Sequence, residues 1–416
     1  MKVTVIGSGV IGTVAAYYLL EDGHEVHVID AREGSGLETS YSNGGQLVAS
    51  HGEPWAAPGT PWQMLKWLGR RDAPMILGLR ADPALLAWGL KFLRNCTQAR
   101  VAVNTARNLR LGLASRALIA QIRTATGIAY DGAQSGALTI YRDARGFEGA
   151  AHHAEIMGEL GCPIEVADPA RVLAIEPALS GIGNQIAGGL FAAEDETGDC
   201  HTFTAALAEH CAGRGVTFHY ATRVERLEAE GDRIAQIRTS KGLHVADAVV
   251  LAAGPWSARL ARPLGLKLPI YPVKGYALTA PLAEEAAAPR VGITDVDTNI
   301  VFARLGQRLR VVSTAEFAGF DRSLNERRIA LMTDVARELL PRAADYAQQE
   351  PWSGLRPVTP DHVPILGPTR FRNLWLDTGH GTLGWTQACA SGRAVASLVA
   401  GRDPGIDMAG LTLDRF

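Results

Sequence analysis

The chain opens on apolar positions of short period. Val3, Val5 and Ile6 predict a strand, and Gly7, Gly9 and Gly12 follow as a G-x-G-x-x-G turn that also carries Val10 and Ile11. A helical pattern runs from Val14 to Leu20 and ends at Gly23. A second apolar strand, Val26 to Ile29, then leads into Asp30. In such a turn the first glycine permits the bend, the second lets a pyrophosphate approach the backbone, and the third lets helix pack on strand. The helix start offers unpaired N–H groups and the positive end of its dipole. Asp30, 18 residues after Gly12, is placed to accept hydrogen bonds from a ribose, with Ala31 and Arg32 beside it. An acid at that place argues against a 2′-phosphate. Strand, helix, strand and acid together predict a dinucleotide-binding βαβ unit.

The middle of the chain separates flavin from nicotinamide. Val216 to Tyr220 reads as a strand, Arg223 to Leu227 begins an extended segment containing Val224, and Arg233 to Arg238 and Leu243 to Ala246 flank a turn at Ser240-Lys241-Gly242. A buried strand from Ala246 then ends on Ala252, Ala253 and Gly254, with Trp256 close behind. This order resembles the second FAD signature of glutathione-reductase-like flavoproteins. An NAD dehydrogenase would continue with βαβ units after Asp30; here a polar, glycine-rich loop follows instead. Its Thr39, Ser40, Asn43, Gly44, Gly45 and Gln46 suit a ribityl chain and flavin edge. Near the C-terminus, Asn373 to Asp377 predicts a strand, Gly379-His380-Gly381-Thr382-Leu383-Gly384 a turn, and Thr386 to Val399 a helix. Its N-terminus would face the flavin N1/O2 locus, where negative charge develops on reduction. Cys389 lies too far along that helix to be the obvious covalent attachment point, so the expected cofactor is non-covalent FAD.

Composition adds limits. At 416 residues the chain suggests two or three domain-sized units. A net charge of −2 gives no pull towards nucleic acid. Lys2 leads straight into a core strand, which predicts no signal peptide, and no run of about 18 apolar residues predicts a membrane span. Five scattered cysteines, Cys96, Cys162, Cys200, Cys211 and Cys389, form no C-x-x-C pair and fit reduced thiols in a cytoplasm. The histidines show no i, i+4 ligand pair, so no metal is expected.

Several longer motifs carry a resemblance: VIGSGVIG, LETSYSNGGQ, PWAAPG at 54–59, DETGDC at 195–200, YPVKGY at 271–276, WSGLRPVTPD at 352–361 and NLWLDTGHGTLGWT at 373–386. Essentially end to end, the chain resembles the D-amino acid dehydrogenase small-subunit branch of the D-amino acid oxidase/glycine oxidase superfamily. The resemblance implies an α/β fold with a Rossmann-type FAD domain and a substrate domain whose antiparallel sheet roofs the flavin. It also implies hydride transfer from a substrate α-carbon to flavin N5, with the imino acid hydrolysing to a 2-oxo acid and ammonia. Small or cyclic D-amino acids, D-proline types included, are the implied substrates.

That chemistry needs a fixed cation for the substrate carboxylate, ideally a guanidinium. Arg356, after Gly354 and before Pro357, matches the superfamily position, with Arg304 as the next candidate. Tyr276 matches a hydroxyl that could share the carboxylate. His380 lies in the flavin-facing turn. His51 follows the glycine-rich loop, where the resembled relatives carry Tyr, so it bears on substrate preference.

The electron acceptor is a further question. Residues 62 to 94 mix Trp62, Met64, Leu65, Trp67, Leu68, Met75, Ile76, Leu77, Leu85, Leu86, Trp88, Leu90, Phe92 and Leu93 with Lys66, Arg70, Arg71, Arg80, Lys91 and Arg94. Such a face can rest in a membrane interface or pack on the substrate domain. The resemblance favours a quinone-type acceptor, with peripheral contact on the inner face of the cell membrane; an oxygen-using amine oxidase or a structural FAD subunit of a larger complex are the alternatives. Expected domains are 1–60, 148–262 and 352–416 for FAD, and 61–147 and 263–351 for substrate.

Overall fold

The βαβ unit forms the middle of a parallel sheet. A computed structural model describes residues 1–67, 69, 75–77 and 82–416. Strand Lys2–Ile6, helix Val10–Glu21 and strand Glu25–Ile29 follow one another. The helix begins earlier than its apolar period at Val14, because the small buried residues Gly12 and Thr13 hide its first turn from a hydrophobic pattern. The sheet runs Ile365–Pro368, Leu374–Thr378, Ala248–Leu251, Lys2–Ile6, Glu25–Ile29, Thr217–His219. Every pairing is parallel except the one at Ile365–Pro368.

Alternation along these strands builds two cores. Val3, Val5, Val26, Val28 and Val250 pack on the helix side with Val14, Leu19, Trp385 and Val395. Ile6, Ile29, Val249, Leu251 and Leu376 face the other way, onto Leu227, Ile234 and Ile237 of a three-stranded meander, Val224–Glu230, Arg233–Thr239 and Gly242–His244. Strands covered on both faces read as continuous apolar runs.

A second, nine-stranded sheet is ordered Glu350–Val358, Tyr271–Pro281, Arg308–Phe317, Ile300–Leu305, Gly292–Asp295, Ala137–Tyr141, Gly188–Ala192, Glu165–Ala167. Met75–Leu77 pairs with Arg308–Phe317. Most pairings are antiparallel, as the resemblance implied. Two are parallel: Gly292–Asp295 with Ala137–Tyr141, and the Met75–Leu77 pair. One face buries Leu138, Ile293, Phe302, Val311, Tyr276 and Leu278 against helix Glu326–Leu339. The intervening positions Thr139, Thr294, Val301, Val312, Gly275 and Arg356 face a cavity instead.

The sheets divide the chain at other places than those expected. Strands Glu165–Ala167 and Gly188–Ala192 join the second sheet, although 148–262 was expected with FAD; strand Glu350–Val358 also joins it, although 352–416 was so expected. Helix Gln98–Thr126, expected with the substrate domain, packs Leu111, Ile119 and Ile122 into the core beneath the C-terminal helix Gly384–Val399. Chain crossings between layers, set by long-range pairing, produce these differences.

Candidate active site

Four of the expected cofactor segments follow the carboxyl ends of neighbouring parallel strands: Gly7 after Ile6, Asp30 after Ile29, Ala252 to Gly254 after Leu251, and Gly379 after Thr378. Open α/β sheets bind their ligands at that edge. Gly7 holds φ +104, and a Cβ there would lie 2.6 Å from the Ala252 carbonyl oxygen; at Gly12 one would lie 1.9 Å from the Gly7 oxygen. The backbone around both therefore closes only on hydrogen. Gly9 and Leu383, the N-caps of helices Val10–Glu21 and Gly384–Val399, supply no side-chain hydrogen bond of their own. Two helix N-termini with this glycine cradle fit a dinucleotide that carries its own acceptors.

The acid at the second strand is oriented by its neighbours. Asp30 accepts from the Ser8 N–H at 2.6 Å, the Ser8 hydroxyl at 2.9 Å and the Arg32 N–H at 2.8 Å. Arg32 pairs with Glu38. Ser40 Oγ accepts from the Val10 N–H at 3.0 Å, holding the glycine-rich loop to the helix start. Thr39 donates to the Leu355 carbonyl at 2.7 Å, Gln46 donates to the Ile293 and Phe302 carbonyls, and Arg310 donates to the Asn43 carbonyl at 2.7 Å. Gly45, at φ +72, lies flat against Ala303 and Leu305. The loop thus ties the first sheet to the second. Ala31, Val224, Ala253 and Trp256 stand at the same strand-end edge, Val224 and Ala253 packed on the meander core.

Between the sheets lies a cavity of about 780 Å³. Thr39, Asn43, Gly44 and Gln46 line one side of it, with Gly381, Thr382 and Leu383 of the C-terminal turn; Gly354 and Arg356 line the opposing sheet. Gly379 and Gly384 sit just outside this lining, at the two ends of the turn.

Arg356 is the guanidinium lining this cavity, where Glu53 and Asp295 already have partners in His153 and Arg142. Its Nη1 donates to the Thr314 carbonyl at 2.8 Å, and among the described residues no carboxylate pairs with it. Burial alone pushes the guanidinium down to about 10. Arg356 lies opposite Val273 in the antiparallel register, and its head rests on Gly275, where a Cβ would come within 2.4 Å of Cζ and both Nη atoms. Arg304 is instead an outward-facing partner of Glu285.

Two of the expected residues have partners of their own. Tyr276 is one residue beyond Gly275, and alternation along the strand turns its side chain to the opposite face. Its hydroxyl donates to Glu316 at 2.7 Å and its ring packs among Leu278, Phe302 and Met332, while Tyr276 still contributes to the cavity lining. The His380 side chain is 2% exposed; Nε2 lies 2.9 Å from Ser391 Oγ and 3.5 Å from Asp377. It braces the turn from beneath while its neighbours Gly381 and Thr382 line the cavity.

His51 does line the cavity. It ends the short turn Ala49–His51, with Nε2 3.0 Å from Thr139 Oγ1. Burial pushes it down to about 4, so it is neutral at ordinary pH. Its turn is held by a residue that sequence reasoning passed over. Asp195, 1% exposed, accepts from the Ala49 N–H at 3.0 Å and the Ser50 hydroxyl at 2.6 Å. Only its place in the motif at 195–200 hinted at a role. At the cavity rim, Glu53 pairs with His153 at 2.8 Å.

Desolvation outweighs the donors around Asp195 and raises it from 3.8 to about 6. A raised folded-state value means its contribution to stability is complete below pH 4 and is lost as pH rises through 6. Asp195→Asn should abolish that loss. Its Tm relative to the native chain is expected to improve between pH 4 and 7, by at most about 3 kcal/mol of stability. A pH-independent difference in thermal melts would refute the assignment.

Comparisons with known proteins agree with this geometry. The sequence profile of the FAD dependent oxidoreductase (DAO) family matches residues 2–398. The chain is 53% identical over 417 residues to a D-amino acid dehydrogenase of Paramagnetospirillum magneticum, covering 100% of this chain and 99% of that one. It is 43% identical over 416 residues to one of Bradyrhizobium diazoefficiens, with the same coverage. Among solved structures, glycine oxidase from Geobacillus kaustophilus superposes with a TM-score of 0.79 at 23% identity, covering 100% of this chain and 98% of that one. L-proline dehydrogenase from P. horikoshii gives 0.79 at 18%, covering 100% and 97%. These two likenesses speak to fold alone, whereas the profile and the close relatives speak to descent: the chain belongs to the family of FAD-dependent oxidoreductases.

Proposed function

We propose that the protein oxidises D-amino acids to imino acids, which water converts to 2-oxo acids and ammonia, and that the electrons leave for a quinone-type acceptor. The observation that carries this reading is the part-buried guanidinium of Arg356, which meets no carboxylate among the described residues and faces a cavity opposite the cofactor turn. FAD, when bound, supplies the two-electron acceptor for the α-carbon hydride. Arg356 would hold the substrate carboxylate, and the Gly275 notch fixes the depth at which it does so. Neutral His51 adds no positive charge near the amine, which must itself be neutral to release hydride. The Glu53–His153 pair would limit water at the rim. The names of the close relatives support a D-amino acid substrate.

An exposed apolar face supports a lipid-borne acceptor. Helix Pro83–Asn95 buries Trp88 and Phe92 but leaves Leu86, Leu90 and Leu93 outward at i, i+4 and i+7, and Trp62 and Leu65 are equally bare on helix Thr60–Trp67. Lys66 and Arg94 flank them, while Lys91 is tied to the Phe416 carbonyl. Leu68, Arg70, Arg71 and Arg80, counted with this face in the sequence, lie outside the described residues. Among the described residues no helix is long and apolar enough to cross a membrane, so such contact would be peripheral.

The deciding experiment is anaerobic reduction. Saturating D-alanine or D-proline should bleach the protein's yellow colour while the L-enantiomers leave it unchanged. A quinone analogue should then restore the colour much faster than air. Equal bleaching by L-amino acids, or return of colour in air within milliseconds, would replace the proposal with an oxygen-using oxidase. No bleaching by any amino acid would leave a structural FAD subunit.

A further inference from the structure

Behind the cavity wall lies a histidine that neither the glycine cradle nor the carboxylate site employs. His362 is 2% exposed and holds φ +63, a left-handed backbone that a non-glycine residue keeps only where its surroundings fix it. Here they do. The Trp55 N–H donates to His362 Nδ1 at 3.1 Å, and the Trp55 ring meets the imidazole edge-on at 4.6 Å between centroids. On the other side Nε2 lies 3.3 Å from Thr382 Oγ1.

These contacts settle where the hydrogens are. A backbone N–H can only donate, so Nδ1 carries no proton, and a neutral imidazole must then carry its hydrogen on Nε2. Burial, with Arg356 nearby, holds the ring neutral by pushing it down to about 4 against the opposing charge of Asp361. The Nε2–H therefore donates to Thr382 Oγ1, whose own hydrogen points elsewhere. Among the described residues that hydroxyl meets no acceptor, and Thr382 lines the cavity at the turn leading into the bare helix N-terminus.

We propose that His362 is a positioning residue that fixes Thr382 as a hydrogen-bond donor into the cavity, towards an electron-rich atom of bound FAD. The chain Trp55 N–H to imidazole to Thr382 hydroxyl then joins the loop at 54–59 to the C-terminal turn. The proposal rests on FAD binding and is independent of which substrate is oxidised.

The test is a double-mutant cycle on the FAD-loaded protein, reading the FAD dissociation constant and the visible flavin spectrum. In His362→Asn the asparagine tolerates the left-handed backbone but is too short to hold Thr382. That variant and Thr382→Val should each weaken FAD about tenfold and displace the visible band, and the double variant should be no worse than either alone. Thr382→Ser, which keeps the hydroxyl, should restore both readouts. If His362→Asn fails to accumulate, His362→Gly, free of left-handed strain, takes its place in the cycle. Single effects that multiply in the double variant, or a fall in Tm with FAD affinity and spectrum unmoved, would overturn the proposal.

Discussion

Arg356→Leu is expected to raise the KM for D-alanine by about 30-fold to several thousand-fold, the range spanned by losing 2–5 kcal/mol of a buried charge pair, while the protein still purifies yellow. It should also unfold no earlier than the native chain. Among the described residues Arg356 meets no carboxylate, and its Nη1 donates to the Thr314 carbonyl, so its desolvation is a burden on the fold that a bound carboxylate would relieve. A residue kept for stability would show the opposite pattern, with Tm falling first. Arg356→Lys should recover only part of the loss, since an ammonium cannot reproduce the planar fork. Gly275→Ala approaches the same result without touching the charge, because its Cβ would occupy space within 2.4 Å of the guanidinium. An unchanged KM in steady-state assays of Arg356→Leu would move the carboxylate site elsewhere.

Gly12→Ala is expected to lose both FAD and stability. The added methyl would sit 1.9 Å from the Gly7 carbonyl oxygen and 3.3 Å from Val5 Cγ1, forcing helix from strand at a cost of about 1–3 kcal/mol or more. Gly9→Ala provides the contrast. Its φ is −66 and its Cβ would meet only Ser40 Oγ at 3.5 Å, so the fold should hold while the methyl fills the place where phosphate approaches. Flavin-to-protein absorbance after gel filtration, beside thermal melts, separates the two. Full flavin retention in both variants would remove the pyrophosphate from this turn.

What could be read in advance was local. The βαβ unit and the C-terminal strand-turn-helix each complete their chemistry within a few tens of residues, so glycine spacing and apolar runs carry them. The Glu316 bond of the Tyr276 hydroxyl had no local signal, because strand parity matters only once a partner is known. The register of Tyr271–Pro281 on Glu350–Val358 sets Arg356 opposite Val273, on the face of Gly275, where its head rests, and no local signal encodes it. Helix Gln98–Thr126 escaped notice for another reason: its buried face mixes Asn104, Thr105, Asn108, Gly112 and Ser115 with its leucines, which erases the helical period. Asp195 meets Ala49 and Ser50, and His362 meets Trp55, across long stretches of sequence, so these contacts emerge only on folding.

The alternation of the second sheet has a consequence for how this protein can change. Leu138, Ile293, Phe302 and Val311 serve the packing against helix Glu326–Leu339, while Thr139, Thr294, Val301 and Val312 face the chamber and the loops that close it. Selection acting on diet, in effect on which side chain the chamber admits, can therefore rewrite every second residue of a strand and leave the intervening ones in place. Substrate range and foldability are written on the same strands in interleaved registers, so one can drift while the other stands still.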